Sequence, residues 1–228
     1  VDLEKIIGRK SLIISRSISI NTPLMHREIL TREQVLLLPL LAQFKKDWGL
    51  VGGTAVALHI GHRESIDFDM FSHKPPFGNL TLQRRVEKTR RIDKIIVNKE
   101  GEFTFEIDSV KFTFFHYPFN IDYSESFENI VRLPTLLTLA SMKAFAIGQR
   151  NKWKDYVDMY FILRDYSSVE KISSHAHMLF GDRFNERMFR NQLSYFDDIN
   201  YSETVIFKPG FEVPDEEVRR ALTEYSLA

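Results

Sequence analysis

The sequence predicts an α+β protein, with an α+β core over residues 1–130 and a helical region over residues 131–228. Period-two apolar runs crowd the first part, at 65–71, 103–107 and 110–117, and such alternation marks strands. After Pro134 the apolar residues recur at helical spacing instead, through 135–148 and 153–164. A chain of 228 residues that is 43% hydrophobic and 13% aromatic can bury a sizeable core.

Each element has a local reason. Residues 27–47 read as a helix through Ile29, Leu30, Val35–Leu38, Leu41 and Phe44, with Pro39 expected to kink or split it. Gly49-Leu50-Val51 is a short strand stopped by Gly52-Gly53, and 54–60 is a short helix. In 65–71, Ile66, Phe68 and Met70 alternate with Asp67, Asp69 and Phe71, so the two aspartates share one face of a strand. Pro75-Pro76-Phe77-Gly78 is a loop, and 80–93 a polar helix with a thin stripe at Leu82, Val86 and Ile92. The runs 103–107 and 110–117, joined by Asp108-Ser109, read as a hairpin. Beyond Thr135, a plausible cap, helices are expected at 135–148, 153–164, 169–179, 185–196 and 215–223.

Composition excludes several classes. The aromatic content excludes wholesale disorder. With no cysteine there is no disulfide scaffold, thiolate zinc site or cysteine nucleophile. No apolar run reaches the ~20 residues of a membrane span. The opening Val1-Asp2-Leu3-Glu4-Lys5 does not read as a signal peptide, so a cytoplasmic protein with no membrane partner is expected. The 31 basic residues balance the 31 acidic ones, but unevenly. Residues 74–99 carry eight cations against Glu87 and Asp93, and 143–154 adds Lys143, Arg150, Lys152 and Lys154 with no acid between them. Such stretches are either polar helix faces or phosphate contacts.

Chemistry concentrates in two places. The first is Gly52-Gly53-Thr54 followed by Asp67-Phe68-Asp69. Glycines after a strand let backbone approach a phosphate, and N–H groups at a helix start favour an anion. Carboxylates at i and i+2 on a strand point the same way and suit Mg²⁺, which bridges protein carboxylates and substrate phosphates. Either half alone also occurs as a plain turn or a solvated strand face. The second place is Lys143 with Arg150, Lys154, Asp155 and Asp158, where spacings of three and four describe one polar helix face, by spacing alone a solvated one. His59, His62 and His73 flank the first motif but need supply only bulk, and His175 and His177 fall on different helix faces. Phe103, Phe105, Phe112, Phe114 and Phe115 read as core rather than as a base-stacking platform.

Together, Gly49–Phe71, the strand Val110–Pro118 and the block Ala140-Ser141-Met142-Lys143 through Arg150, Lys154-Asp155 and Asp158 resemble the AbiEii/AbiGii toxin-like nucleotidyltransferases, of the DNA polymerase beta-type superfamily. The resemblance covers residues 28–165. It implies a nucleotidyltransferase-like mixed sheet flanked by helices, transfer of a nucleoside monophosphate from an NTP to an RNA (tRNA) or protein acceptor, and a cognate antitoxin or phage-defence setting. By the same resemblance Gly52, Gly53 and Thr54 cradle phosphates, with Arg63 nearby, while Asp67 and Asp69 hold Mg²⁺ or Mn²⁺. Lys143 reaches the triphosphate, and Lys154, Asp155 and the catalytic-block Asp158 complete the pocket. Two positions depart from the family pattern: Thr113 stands where a third carboxylate is expected, with Glu106 and Asp108 nearby, and Thr138 stands where an acid precedes the lysine. A nucleotide- or partner-binding relative without turnover is the alternative, and a small-molecule nucleotidyltransferase a third reading.

Overall fold

The computed structural model describes residues 25–74, 78–147 and 149–228, so the opening segment, the Pro75–Phe77 part of the expected loop and the helix end at Gly148 lie outside the described residues. In chain order the elements are α1 (Arg32–Ala42), β1 (Gly49–Val51), α2 (Gly52–Ile60), β2 (Phe68–Ser72), α3 (Asn79–Glu87), β3 (Lys94–Lys99), β4 (Glu102–Ile107), β5 (Val110–His116), β6 (Glu125–Phe127), β7 (Val131–Leu133), α4 (Leu136–Ile147), α5 (Trp153–Asp165), α6 (Val169–Phe180), α7 (Glu186–Leu193) and α8 (Asp215–Leu227). The strands form one mixed sheet in the order β3-β4-β5-β2-β1-β7-β6. β2 runs parallel to β5 and antiparallel to β1, which places Asp69 between Val51 and Thr113.

Alternation along the strands sorts two faces. Phe68, Met70, Phe103, Phe105, Phe112 and Phe114 point one way and are at most 1% exposed. Phe44 and Trp48, after α1, pack edge-on against Phe114. Arg85 of α3 lies over the Phe44 ring, and Leu82 and Val86 are buried. Burying each such phenylalanine stabilises the fold by roughly 1.5–3 kcal/mol. The opposite face carries Asp69, Phe71, Lys111, Thr113, Phe115 and Glu102, and these line a cleft against α4. α2 packs on both α4 and α5, tying the sheet to the helical part.

Several expectations need adjustment. The helix expected over 27–47 is α1 alone, preceded by a 3₁₀ turn at Arg27–Ile29. Thr31 starts it with a capping box to Gln34, and it runs through Pro39 without splitting. Pro39 is on the exposed side, while buried Leu37, Leu38, Leu40 and Leu41 hold the helix in place. α3 stops at Glu87, short of 93; Leu82 and Val86 are its buried residues, and Ile92 packs against the core from beyond the helix end. The hairpin turn at Asp108 and Ser109 has positive φ at both residues, as a tight two-residue hairpin requires. The change of character expected near residue 130 falls in the turn between β6 and β7, and Val131–Leu133 still pairs with the sheet.

Candidate active site

α2 begins directly where β1 ends. Val51 occupies its N-cap with no side-chain cap, which leaves the first helical N–H groups open to an anion. Gly52 has a φ of +72°, and a Cβ there would sit 2.3 Å from Asp69 Oδ2. Any side chain at position 52 would strain the backbone and displace the carboxylate. The glycine is therefore what lets Asp69 close on the helix start.

Asp67 just precedes β2 rather than lying within it. Its place is set by Thr54, which is 1% exposed. The Thr54 hydroxyl donates to the Asp67 carbonyl oxygen and lies 3.0 Å from Ser65 Oγ. Thr54 thus tethers the 65–67 segment instead of presenting its hydroxyl to the cleft. Lys111 Nζ pairs with the Asp67 carboxylate. Among the described residues no cation contacts Asp69, and burial, reinforced by the Asp67 charge, outweighs the nearby Arg150 and Lys111 charges and pushes its carboxyl up from the ordinary value. Among the described residues no cluster of three or more His, Asp or Glu forms a metal site. Asp67 and Asp69 are the pair that could hold a divalent ion. A Gly52 cradle open to Asp69 and two mutually repelling carboxylates fit Mg²⁺, which takes few protein ligands and keeps water or phosphate oxygens for the rest.

The second motif block is not a solvated helix face. Asp155 and Asp158 are 4% and 0% exposed, because their spacing turns both toward α4. Lys143 Nζ lies 2.6 Å from Asp155 Oδ1 and 2.7 Å from Asp158 Oδ2. Arg63 grips Asp158 with two bonds, Nε to Oδ1 at 2.6 Å and Nη2 to Oδ2 at 2.8 Å. Its Nη1 donates to the Glu64 carbonyl oxygen at 2.8 Å. Burial opposes ionisation of Asp158, but the Arg63 and Lys143 charges outweigh it and hold the carboxyl well below its usual range. Burial also pushes His62 down, so the neutral ring donates Nε2–H to Asp158 Oδ1 at 2.7 Å, leaving Nδ1 unpartnered.

Two expected contacts change accordingly. Arg63, placed by the sequence near a phosphate, does line the polar lobe of the cleft beside Gly53, but it is 2% exposed and its guanidinium is bonded to Asp158 and Glu64. Asp158, placed in the catalytic set, has both oxygens taken and does not line the cleft. Lys143 lines the cleft with its ammonium held by two carboxylates. Arg150 reaches Asp155 Oδ2 at 2.9 Å with half its side chain exposed.

The cleft has two lobes that meet at Asp67 and Asp69. One, of about 420 Å³, is lined by Gly53, Lys111, Arg150, Lys152, Lys154 and Glu203. The other, of about 520 Å³, is lined by Gly52, Thr113, Phe71, Phe115, Tyr117 and Phe145. Lys154 and Lys152 are paired with Glu203. That glutamate arrives on the segment after α7, which bridges back through Asn200 to Lys152 and through Phe207 to Arg63. Lys111, Lys152 and Glu203 were not among the expected site residues. Lys111 was findable as the strand neighbour, two residues away, of Thr113; Glu203 carried no signal.

Thr113 stands beside Asp69 in register, on the same face of the sheet. Glu106 faces Lys111 across the hairpin and Asp108 occupies its turn, and neither lines the cleft. Thr138 is taken up by His175 and by the Thr135 cap, and His59 by the Pro134 carbonyl oxygen at 2.9 Å. Phe115 is not core, as the other four phenylalanines of its cluster are: it lies on the cleft face. The basic helix α3 packs on the sheet face opposite the cleft, with Arg85 over Phe44.

A carboxylate pair facing an uncapped glycine helix start, on a mixed sheet backed by helices, fits the nucleotidyltransferase class. The chain belongs to the AbiEii family, the nucleotidyl transferase toxins of type IV toxin–antitoxin systems, whose profile matches residues 39–224. It is 30% identical over 188 residues to the uncharacterized protein aq_aa25 of Aquifex aeolicus, covering 78% of this chain and 88% of that one. The fold matches a Helicobacter pylori structure assigned to a nucleotidyltransferase, with a TM-score of 0.54 at 16% identity over 86% of this chain and 92% of the other. A second structure, JHP933 from Helicobacter pylori, gives 0.54 at 15% identity over 86% and 89%. Among the described residues no helix is long and apolar enough to cross a membrane.

Proposed function

We propose that this chain transfers a nucleoside monophosphate from an NTP to a hydroxyl of an RNA, such as a tRNA end, or of a protein, as the toxin of a toxin–antitoxin pair in phage defence. The observation that carries the reading is the approach of Asp69 to Gly52, which joins the carboxylate pair to the open α2 N-terminus. In the transfer, the acceptor oxygen bonds to the α-phosphorus, the α–β bridging P–O bond breaks, pyrophosphate leaves and the acceptor proton passes to solvent. Asp67 and Asp69 would hold Mg²⁺, or Mn²⁺ in its place, which supplies charge neutralisation at the reacting phosphate. The α2 N–H groups and Gly53 receive phosphate oxygens. Arg150, Lys152 and Lys154 offset charge on the departing pyrophosphate, and positioning of this kind supplies most of phosphoryl catalysis. The buried Lys143–Asp155–Asp158–Arg63 cluster holds α5 against α4 and α2, which keeps those cations aimed.

Thr113 favours a second reading, nucleotide binding without turnover, because the carboxylate expected next to Asp69 is replaced by a hydroxyl. Label transfer from each α-³²P-NTP onto total tRNA and onto lysate proteins, with Mg²⁺, separates the two. A labelled band identifies donor and acceptor together. No band, with NTP still raising the melting temperature, selects the binding-only reading.

A further inference from the structure

We infer that the apolar lobe of the cleft seats the base of the donor nucleotide, and that Glu102 selects bases carrying an amine at the cytosine N4 or adenine N6 position. The inference rests on the nucleotidyltransferase reading of the Asp67–Asp69 end. Phe71 and Phe115 follow Asp69 and Thr113 by two residues on the same face of β2 and β5, and they are register partners. Their ring centroids are 5.2 Å apart. Two strand residues advance about 6.6 Å, comparable with the ribose that separates an α-phosphate from its base. A nucleotide whose α-phosphate lies at the aspartates therefore brings its base over these rings.

The rings are open where core rings are not. Phe112 and Phe114, on the other face of β5, are 0% and 1% exposed, whereas Phe71 and Phe115 are only half-buried. With Phe145 of α4 lining the same lobe, they form an aromatic slot beside a phosphate-handling centre, the arrangement on which bases stack without sequence readout.

Glu102 supplies the discrimination. It is the register partner of Phe115 on β4 and lines the same lobe. Lys99 holds its Oε2 at 2.9 Å, which leaves Oε1 to accept. A carboxylate accepts hydrogen bonds and cannot donate them. At the edge position that distinguishes the bases, the N4 amine of cytosine or N6 of adenine can donate to it, whereas uracil presents O4 and guanine O6, both acceptors. CTP and UTP make the cleanest pair, since they match in size and differ at that edge.

The test measures binding of the four NTPs and of inorganic tripolyphosphate, with Mg²⁺, to the wild type, Glu102→Gln and Phe115→Ala. Phe115→Leu, with a melting temperature for each variant, stands in should alanine unfold the sheet. The wild type is expected to bind CTP about tenfold or more tighter than UTP, and Glu102→Gln to bring the two within about threefold. Phe115→Ala is expected to weaken every NTP about tenfold while leaving tripolyphosphate unchanged. Equal binding of all four NTPs by the wild type, or undiminished selectivity in Glu102→Gln, overturns the inference and leaves the proposed activity standing. A Phe115→Ala effect confined to the KM of an RNA acceptor assigns the slot to the acceptor's base and likewise overturns it. A wild type that binds no NTP removes both readings.

Discussion

Replacing Asp158 by alanine removes the one carboxylate that Arg63, Lys143 and His62 share. The contacts are 2.6–2.8 Å long and the residue is 0% exposed. Lys143 keeps Asp155, but Arg63 keeps only the Glu64 carbonyl oxygen as a bonded partner, so a guanidinium with 2% exposure loses its contacting counter-charge and retains only the more distant Asp155 and Glu203. Breaking a buried pair from one side costs about 3–5 kcal/mol. For a chain of this size that lowers the melting temperature by about 6–20 °C. The pH dependence follows from the depressed carboxyl. A group whose folded pKa lies below its unfolded value contributes stability above the unfolded pKa and loses it as pH falls through the folded one. The gap between wild type and Asp158→Ala is therefore full at neutral pH and closes once the medium falls below about pH 4 and on toward the folded value. Urea unfolding at pH 7 and at a series of acidic pH values measures it. A cost under about 1 kcal/mol at pH 7, or a gap that does not change with pH, would refute the account of this cluster. The double variant Asp158→Ala/Arg63→Met should cost less than Asp158→Ala alone, since it removes the orphaned charge too.

Other outcomes follow from the cleft. Asp69→Asn should raise the melting temperature at pH 7 without Mg²⁺ while abolishing transfer: its folded pKa is raised, so ionisation above that value costs stability that the amide does not incur. Gly52→Ala should lose activity and roughly 1 kcal/mol or more of stability, because φ is +72° and Asp69 blocks the new methyl; steady-state turnover and thermal melts read the two effects. Thr113→Asp places a carboxylate beside Asp69, and single-turnover rates should rise by roughly 10²-fold if proton removal limits the native enzyme. Glu203→Gln releases Lys152 and Lys154 and should tighten tripolyphosphate binding with a steeper salt dependence in titration calorimetry.

The parts of this fold legible in sequence are those written by alternation or by helical spacing. The Phe103–Phe114 hairpin, with its Asp108-Ser109 turn, and the helices beyond Pro134 follow from local pattern. β3 does not: five of its six residues are exposed and β4 is its strand neighbour at the sheet edge, so no periodicity marks it. β6 and β7 are three residues each, too short to show a period. At the site, the glycine pair and Asp67/Asp69 were visible because neighbouring residues supply both halves. Spacing alone read Asp155 and Asp158 as solvated, since burial against α4 is a tertiary fact that i, i+3 arithmetic cannot carry. Arg63 and Asp158 are 95 residues apart, and Glu203 reaches the cleft from the far end of the chain. Pairings of that range exist only once the fold is assembled.

The most direct test of the proposed activity is pyrophosphate release from an NTP, with Mg²⁺ and total tRNA or lysate protein as acceptor, by the wild type and by Asp69→Asn at a temperature where both are folded. The account predicts acceptor-dependent release from the wild type, lost on chelation of the metal and absent from a variant at least as stable. Equal release from both proteins would contradict it.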